Sequence, residues 1–176
     1  SMVNSYVFFV ETGKEETVCK SLNNYFKTDQ VTAYIPKVEK LFVNSRFHRV
    51  ERKLMLPGTV FLDSLMDEQI FITKSYEFLR LSEYTLKLMA KEDVERLKLG
   101  KDERDLLFRL FNEEYVVEKS AGFIVGSETT VTSGPLQGYE HLIKKINRHK
   151  RQAEIEIKFL NSIKRLSVCL EILSRE

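Results

Sequence analysis

Cysteine is nearly absent from this 176-residue chain: Cys19 and Cys169 stand far apart, each in an apolar setting. Two such thiols build no disulfide framework and supply no metal-spaced Cys/His set, and they read as buried thiols of a reduced, cytoplasmic protein. Proline and glycine are sparse, at three and seven residues, and no low-complexity tract or internal repeat is present. No apolar run approaches the ~20 residues that a membrane span needs. No secretory signal is recognised, and Ser1 ahead of Met2 reads as a residue added in cloning. Neither charge sign dominates: 28 basic against 26 acidic residues give a net charge of +2, so nucleic-acid binding has to come from a local patch and not from a global field. The three histidines, His48, His141 and His149, have no plausible nucleophile beside them, and no P-loop or dinucleotide fingerprint occurs. A non-enzyme without cofactor or metal is expected.

What is present is enough apolar residue, 43%, for one domain or two small ones. Tyr6-Val7-Phe8-Phe9-Val10 is a short apolar run that reads as a buried strand. Thr12 and Glu15 have capping-box spacing ahead of a helical stripe at Val18, Cys19, Leu22, Tyr25 and Phe26. Val31–Val43 looks extended. The basic segment Asn44–Lys53 reads as a hairpin tip, and Leu54–Leu62 returns to the core. Asp67–Phe78 and Asp102–Phe111 read as helices with acids at their N-terminal ends, where the helix dipole favours them. Tyr84–Leu99 fits neither the helical nor the strand period. After Asn112 the helical stripes stop, and Gly122 and Gly126 punctuate the chain. We therefore expect a domain over 2–116, a short linker over 117–126 and a second domain over 127–176.

The segment Ser133–Ile157, SGPLQGYEHLIKKINRHKRQAEIEI, could be a basic amphipathic helix or two strands around a basic turn. Ala153-Glu154-Ile155-Glu156-Ile157-Lys158-Phe159 alternates apolar with charged, which lines one face of a strand and would scatter around a helix. Leu142–Ile146 is then the preceding strand, Asn147–Arg151 the tip, and Ile163–Ile172 a further strand. Several short strands within so few residues imply a small barrel, because closure removes exposed edges.

These residues resemble a known family. Leu56-Pro57-Gly58-Thr59-Val60-Phe61 resembles the F-P-G-Y-V-F core of the N-terminal domain of NusG-type transcription elongation factors. Tyr6–Val10 with Thr12–Glu15 looks like that domain's opening strand and helix cap, and Tyr34-Ile35-Pro36 like its next strand. Ser133 to Ile157 resembles the KOW motif of the C-terminal domain. Ser120–Gly126, Gly134-Pro135-Leu136 and Arg148–Arg151 are similar to the LoaP group of specialised antiterminator paralogues. Two positions depart from the pattern. His141 stands where KOW carries glycine, so either the turn is reshaped around Gly138 or His141 accepts strain. Thr59 stands where an aromatic is frequent.

The resemblance implies an α+β protein: a NusG-like α/β sandwich, with an antiparallel sheet and helices, followed by an SH3-like KOW β-barrel. It implies a monomer that binds the clamp helices of the largest subunit of RNA polymerase through an exposed apolar patch. Tyr6, Phe8, Met55, Leu56 and Thr59 would form that patch, though these also read as ordinary core. Arg46, His48, Arg49 and Arg52 would face non-template DNA, or be a solvated hairpin tip. Lys144, Lys145, Asn147, Arg148, His149, Lys150 and Arg151 would contact an RNA hairpin in the nascent transcript. The alternatives are a housekeeping elongation factor whose KOW domain meets Rho or a ribosomal protein, and a ribosome-associated KOW protein that binds RNA. A membrane partner is not expected.

Overall fold

The apolar run at the N-terminus forms strand β1 (Asn4–Phe9) in a computed structural model that describes residues 2–173. Helix α1 (Glu15–Tyr25) and strands β2 (Val31–Tyr34), β3 (Lys37–Val43), β4 (His48–Leu54) and β5 (Thr59–Ser64) follow. Helix α2 (Glu68–Leu81), a 3-10 segment at Lys91–Leu97 and helix α3 (Lys101–Leu110) come next. The rest is strand: β6 (Val116–Val117), β7 (Ser120–Val125), β8 (Glu128–Ser133), β9 (Ile143–Asn147), β10 (Gln152–Phe159) and β11 (Ser162–Ile172), with a 3-10 turn at Glu140–Leu142. The fold is α+β, as expected. No helix among the described residues is long and apolar enough to cross a membrane.

The chain divides into two units. The first takes the described residues up to Ile35 together with Leu56–Arg104, and the second takes Pro36–Met55 together with the described residues from Asp105 on. In the first, β5 is the central strand of an antiparallel sheet of order β1-β5-β2. Tyr6 and Phe8 of β1, Val60 and Leu62 of β5, Val18, Leu22 and Phe26 of α1, and Phe71 and Leu79 of α2 form its core. Alternation along the strands puts these residues on one face, and the helical period puts Val18, Leu22 and Phe26 opposite them. Phe71 lies against both Tyr6 and Phe26, with ring centroids 4.4 and 5.4 Å apart. Asp67 caps α2 by accepting a hydrogen bond from the Ile70 N–H at 3.1 Å.

The start of α1 differs from the expected capping box. Lys14 is the cap residue, without a side-chain bond, and Glu15 is the first helical residue and buried. Its carboxylate accepts from the N–H groups of Gly13 at 2.9 Å and Gly58 at 2.7 Å, tying the helix start to the Pro57-Gly58 turn. Capping-box spacing looks the same in sequence whether the glutamate turns back on its own helix or reaches a loop 43 residues away. Burial pushes this carboxyl up, but the N–H groups of Gly58, Glu15 and Gly13 outweigh it and hold it below the usual carboxylate range.

The second unit contains two sheets: β4-β3-β6, and a five-stranded sheet of order β8-β7-β11-β10-β9. Ala153, Ile155, Ile157 and Phe159 of β10 are all buried, the outcome that strict alternation implies. Edges β8 and β9 are not paired to each other among the described strands. The Glu140 carboxylate accepts from the Val131 N–H of β8 at 3.0 Å, which satisfies one edge donor. His141 lies in the adjoining 3-10 turn and outside the left-handed region, while Gly138 takes φ +84°, so the reshaped turn is the alternative that holds.

The expected domain limits need correction. Residues 117–126 are not a linker: β7 pairs antiparallel with β8 and parallel with β11. Gly122 marks a close backbone approach, since a Cβ there would lie 2.1 Å from the Thr130 carbonyl oxygen. Gly134, at φ +90°, approaches the Lys119 carbonyl in the same way, with a Cβ distance of 2.4 Å. The β3–β4 hairpin belongs to the second unit because β3 pairs parallel with β6, Lys37 to Val116 and Val38 to Val117. A seam between residues so distant in sequence leaves no local signal.

Two predictions follow from this packing. Gly122→Ala and Gly134→Ala should each lose about 3 kcal/mol in urea denaturation, from steric overlap with backbone that has nowhere to move. Gly126→Ala, at φ +62° but facing open space, should lose only about 1 kcal/mol. Equal losses at all three positions would contradict the close approach. Glu15→Gln should cost about 2 kcal/mol at neutral pH. Because the native carboxyl is depressed, the advantage of Glu15 is present above the ordinary carboxylate range and disappears as pH falls through the depressed value. An advantage that grew with acidification would contradict this.

Candidate nucleic-acid interface

The basic turn between β9 and β10 is built by a short ladder. Gln152 faces Asn147, Ala153 faces Ile146 and Glu154 faces Lys145; the register then shifts, so that Ile155 faces Ile143 and Lys144 is the extra residue. The Asn147 side-chain oxygen Oδ1 accepts from the Lys150 backbone N–H at 2.9 Å, and Arg151 takes a left-handed φ of +55°, which together fix the tip. Lys145, Arg148, His149 and Lys150 are exposed and have no ion-pair partner among the described residues. Lys144 lies 3.9 Å from Glu156 and Arg151 lies 3.9 Å from Glu171. Pairs this long and solvated are worth less than about 1 kcal/mol, so both cations stay available. Asn147 spends its carbonyl on the turn and keeps its amide N–H groups for a ligand. The same alternation puts Glu154 and Glu156 on the outer face, where Arg165 approaches them at 3.9 and 3.8 Å.

The second basic segment is the β3–β4 hairpin. Its tip is an Asx turn in which the Asn44 side chain accepts from the N–H groups of Arg46 and Phe47 at 2.7 and 2.9 Å. The register divides three of the four cationic candidates, His48, Arg49 and Arg52, between two faces, while Arg46 lies in the tip turn outside the ladder. Phe42 faces Arg49, Lys40 faces Glu51 and Val38 faces Lys53, whereas Glu39 faces Arg52 and Val43 faces His48. Arg52 is paired with Glu114 at 3.2 Å and does not share a face with Arg49, so the expected set is not one patch. The other face carries residues that the sequence reading left out. The cations of Lys40, Arg49 and Lys53 lie 5.3, 5.3 and 5.9 Å from the Phe42 ring centre, and Arg49 lies 5.1 Å from that of Phe47. The Arg49 hydrogen bond, above all, holds Glu51 below the usual carboxylate range and fixes this cluster. Period-two alternation would have grouped Lys40, Phe42, Arg49 and Lys53, but only once the tip, and with it the register, was known.

The expected polymerase-binding patch is corrected by burial. Tyr6 and Phe8 are 0% exposed and belong to the first unit's core. Met55 and Leu56 are buried, and the buried Thr59 hydroxyl donates to the Leu56 carbonyl at 2.7 Å, so none of the five is an exposed apolar surface. A strand buried on its helix-facing side reads in sequence like one that presents aromatics to a partner. One exposed apolar surface of the first unit lies elsewhere, in a groove of about 540 Å³ between α1 and the end of α2. Thr17 and Tyr25 line one side, and Phe78, Leu81 and Tyr84 the other. Leu81 is 73% exposed, and beyond it Leu86 and Met89 are 57% and 93% exposed. Tyr25 belongs to the stripe read as core, yet it lies at the edge of that stripe and its hydroxyl donates to the Lys74 carbonyl at 2.8 Å.

No group of three His, Cys, Asp or Glu that could hold a metal ion occurs among the described residues. The site offers cations, amides and rings, which suits binding by charge, hydrogen bonding and stacking. No family model matches the chain, and no curated protein matches it. A solved structure described as "Domain interaction in Thermotoga maritima NusG" is similar at 16% identity and a TM-score of 0.44, covering 97% of this chain and 94% of that one.

Proposed function

We propose that this chain is a transcription elongation factor that acts as an antiterminator on particular operons. Its first unit docks on the clamp helices of RNA polymerase, and its second holds a hairpin of the nascent RNA. One observation carries the reading: Lys145, Arg148, His149 and Lys150 stand exposed and unpaired among the described residues, on a tip stiffened by Asn147. A cationic tip whose nearest acids make only long, solvated pairs grips phosphates, and the neighbouring amides of Asn147 and Gln152 can read base edges. The ordered motifs support the polymerase half, since Leu56–Phe61 leads through the Pro57-Gly58 turn into the central strand of the first sheet. The groove beside Tyr25 and Leu81 is the apolar surface that such docking needs, and an amphipathic helical hairpin fits a groove of this kind. Binding that favours the closed clamp makes paused and terminator-competent states less populated.

Leu81→Glu tests the docking half without disturbing the core, because Leu81 is 73% exposed. It should reduce polymerase capture by tenfold or more, the equivalent of about 1.4 kcal/mol or more of lost apolar contact, at an unchanged unfolding temperature. Full capture by that variant would move the docking surface elsewhere. In transcription through a terminator in vitro, added protein should raise read-through only when the cognate leader RNA lies upstream. Equal read-through with and without that leader would remove the antiterminator role.

A further inference from the structure

We infer that the β3–β4 hairpin and the β9–β10 tip are the two walls of one RNA-binding groove. The inference rests on the reading of the second unit as an RNA binder and specifies where the strand runs. Two hollows lie side by side on this unit. One, of about 200 Å³, has Lys40 and Lys53 of the hairpin on one side and Arg151, Gln152 and Ser167 of the five-stranded sheet on the other. The second, of about 180 Å³, is lined by Lys145, Asn147, Lys150, Gln152, Glu154 and Ser167. Gln152 and Ser167 line both, so the hollows adjoin.

The ladders explain why these residues meet. Gln152 faces Asn147 on one side and Cys169 on the other, and Ser167 faces Glu154, so these side chains share the sheet's outer face. Strand β3 packs along β11 and brings Lys40 and Lys53 to the rim. The Phe42 ring holds both cations on its face of the hairpin, which removes side-chain freedom before any ligand arrives. Phe47, 42% exposed and covered on one side by Arg49, extends the track with a ring on which a base can stack. Nearby acids are already engaged. Glu39 accepts from the Lys119 N–H at 2.6 Å, Glu154 approaches Arg165, and Glu51 binds Arg49 and also lies 3.5 Å from Lys53, a solvated pair worth less than about 1 kcal/mol that leaves the Lys53 cation available.

The chemistry is that of a single strand or hairpin loop. Cations on both rims take successive phosphates, while the Gln152 and Asn147 amides and the Ser167 hydroxyl lie between them at the level of bases or 2′-hydroxyls. A concave track between two walls suits a flexible strand; a DNA duplex is convex and would reach only the two tips.

Charge-removing pairs that keep the side-chain stems test the groove, with a labelled mixed-sequence RNA stem–loop and a DNA duplex of the same sequence as probes. Lys40→Gln with Lys53→Gln, and separately Lys145→Gln with Lys150→Gln, should each weaken RNA-stem–loop binding about tenfold. Each should also make the salt dependence shallower by about 0.7 in log–log slope for every cation lost. Thermal unfolding should not change. Loss with the tip pair and none with the hairpin pair would overturn the shared groove and leave RNA binding by the tip intact. Unchanged RNA binding with both pairs would overturn the RNA reading itself. A hairpin-pair effect on duplex DNA alone would assign the hairpin to DNA and also overturn the groove.

Discussion

Two residues of parallel pairing decide where the charge of this molecule lies. Lys37 and Val38 of β3 pair with Val116 and Val117 of β6, and Lys37 also donates to the Tyr115 carbonyl at 3.0 Å. The Asn112 side chain prepares that seam by accepting from the N–H groups of Glu114 and Val116 at 2.8 and 3.0 Å, and Tyr115 takes a left-handed φ of +61°. The Lys119 N–H then binds the Glu39 carboxylate. Each contact is modest alone, on the order of 1 kcal/mol. Together they draw the 36–55 hairpin out of the sequence neighbourhood of the first sheet and into the second unit, beside the cationic tip of β9–β10.

The division has a consequence for how each unit is held. The first rests on aromatic packing around Phe71 and on the buried Glu15 carboxylate, which locks a helix start to the Pro57-Gly58 turn. Close packing of this kind transmits strain and tolerates little change in volume. The second rests on strand ladders and on two glycines, Gly122 and Gly134, where backbone meets backbone. Its outer face carries the ionic side chains, so substitutions there have little effect on folding. The apolar groove beside Leu81 is likewise set on α1 and α2, whose inner faces alone are committed to the core.

Local patterns in the sequence identified the local structure. The Asp67 cap, the strict alternation of Ala153–Phe159 and the basic tip at Asn147–Arg151 depend on neighbours within a few residues, and all three appear where the spacing places them. Features that depend on distant pairing did not emerge. Glu15 reaches Gly58, β3 reaches β6, and Gly122 marks crowding although it reads as a linker glycine. The polymerase-facing set shows the same limit: Tyr6 and Phe8 lie in a continuous apolar run that reads as a buried strand, and the helices packed on that face account for their burial in the core. Of the site, the tip was legible as a charge run, whereas the hairpin's contribution needed the register that pairs Phe42 with Arg49.

A footprint on the intact chain distinguishes one shared groove from a lone basic tip. Hydrogen–deuterium exchange, followed by mass spectrometry with and without an RNA stem–loop, reports on both walls at once. Exchange should slow in 38–53 and in 145–153 together, at the same RNA concentration. Protection confined to 145–153, with 38–53 exchanging as in the free protein, would contradict the shared groove.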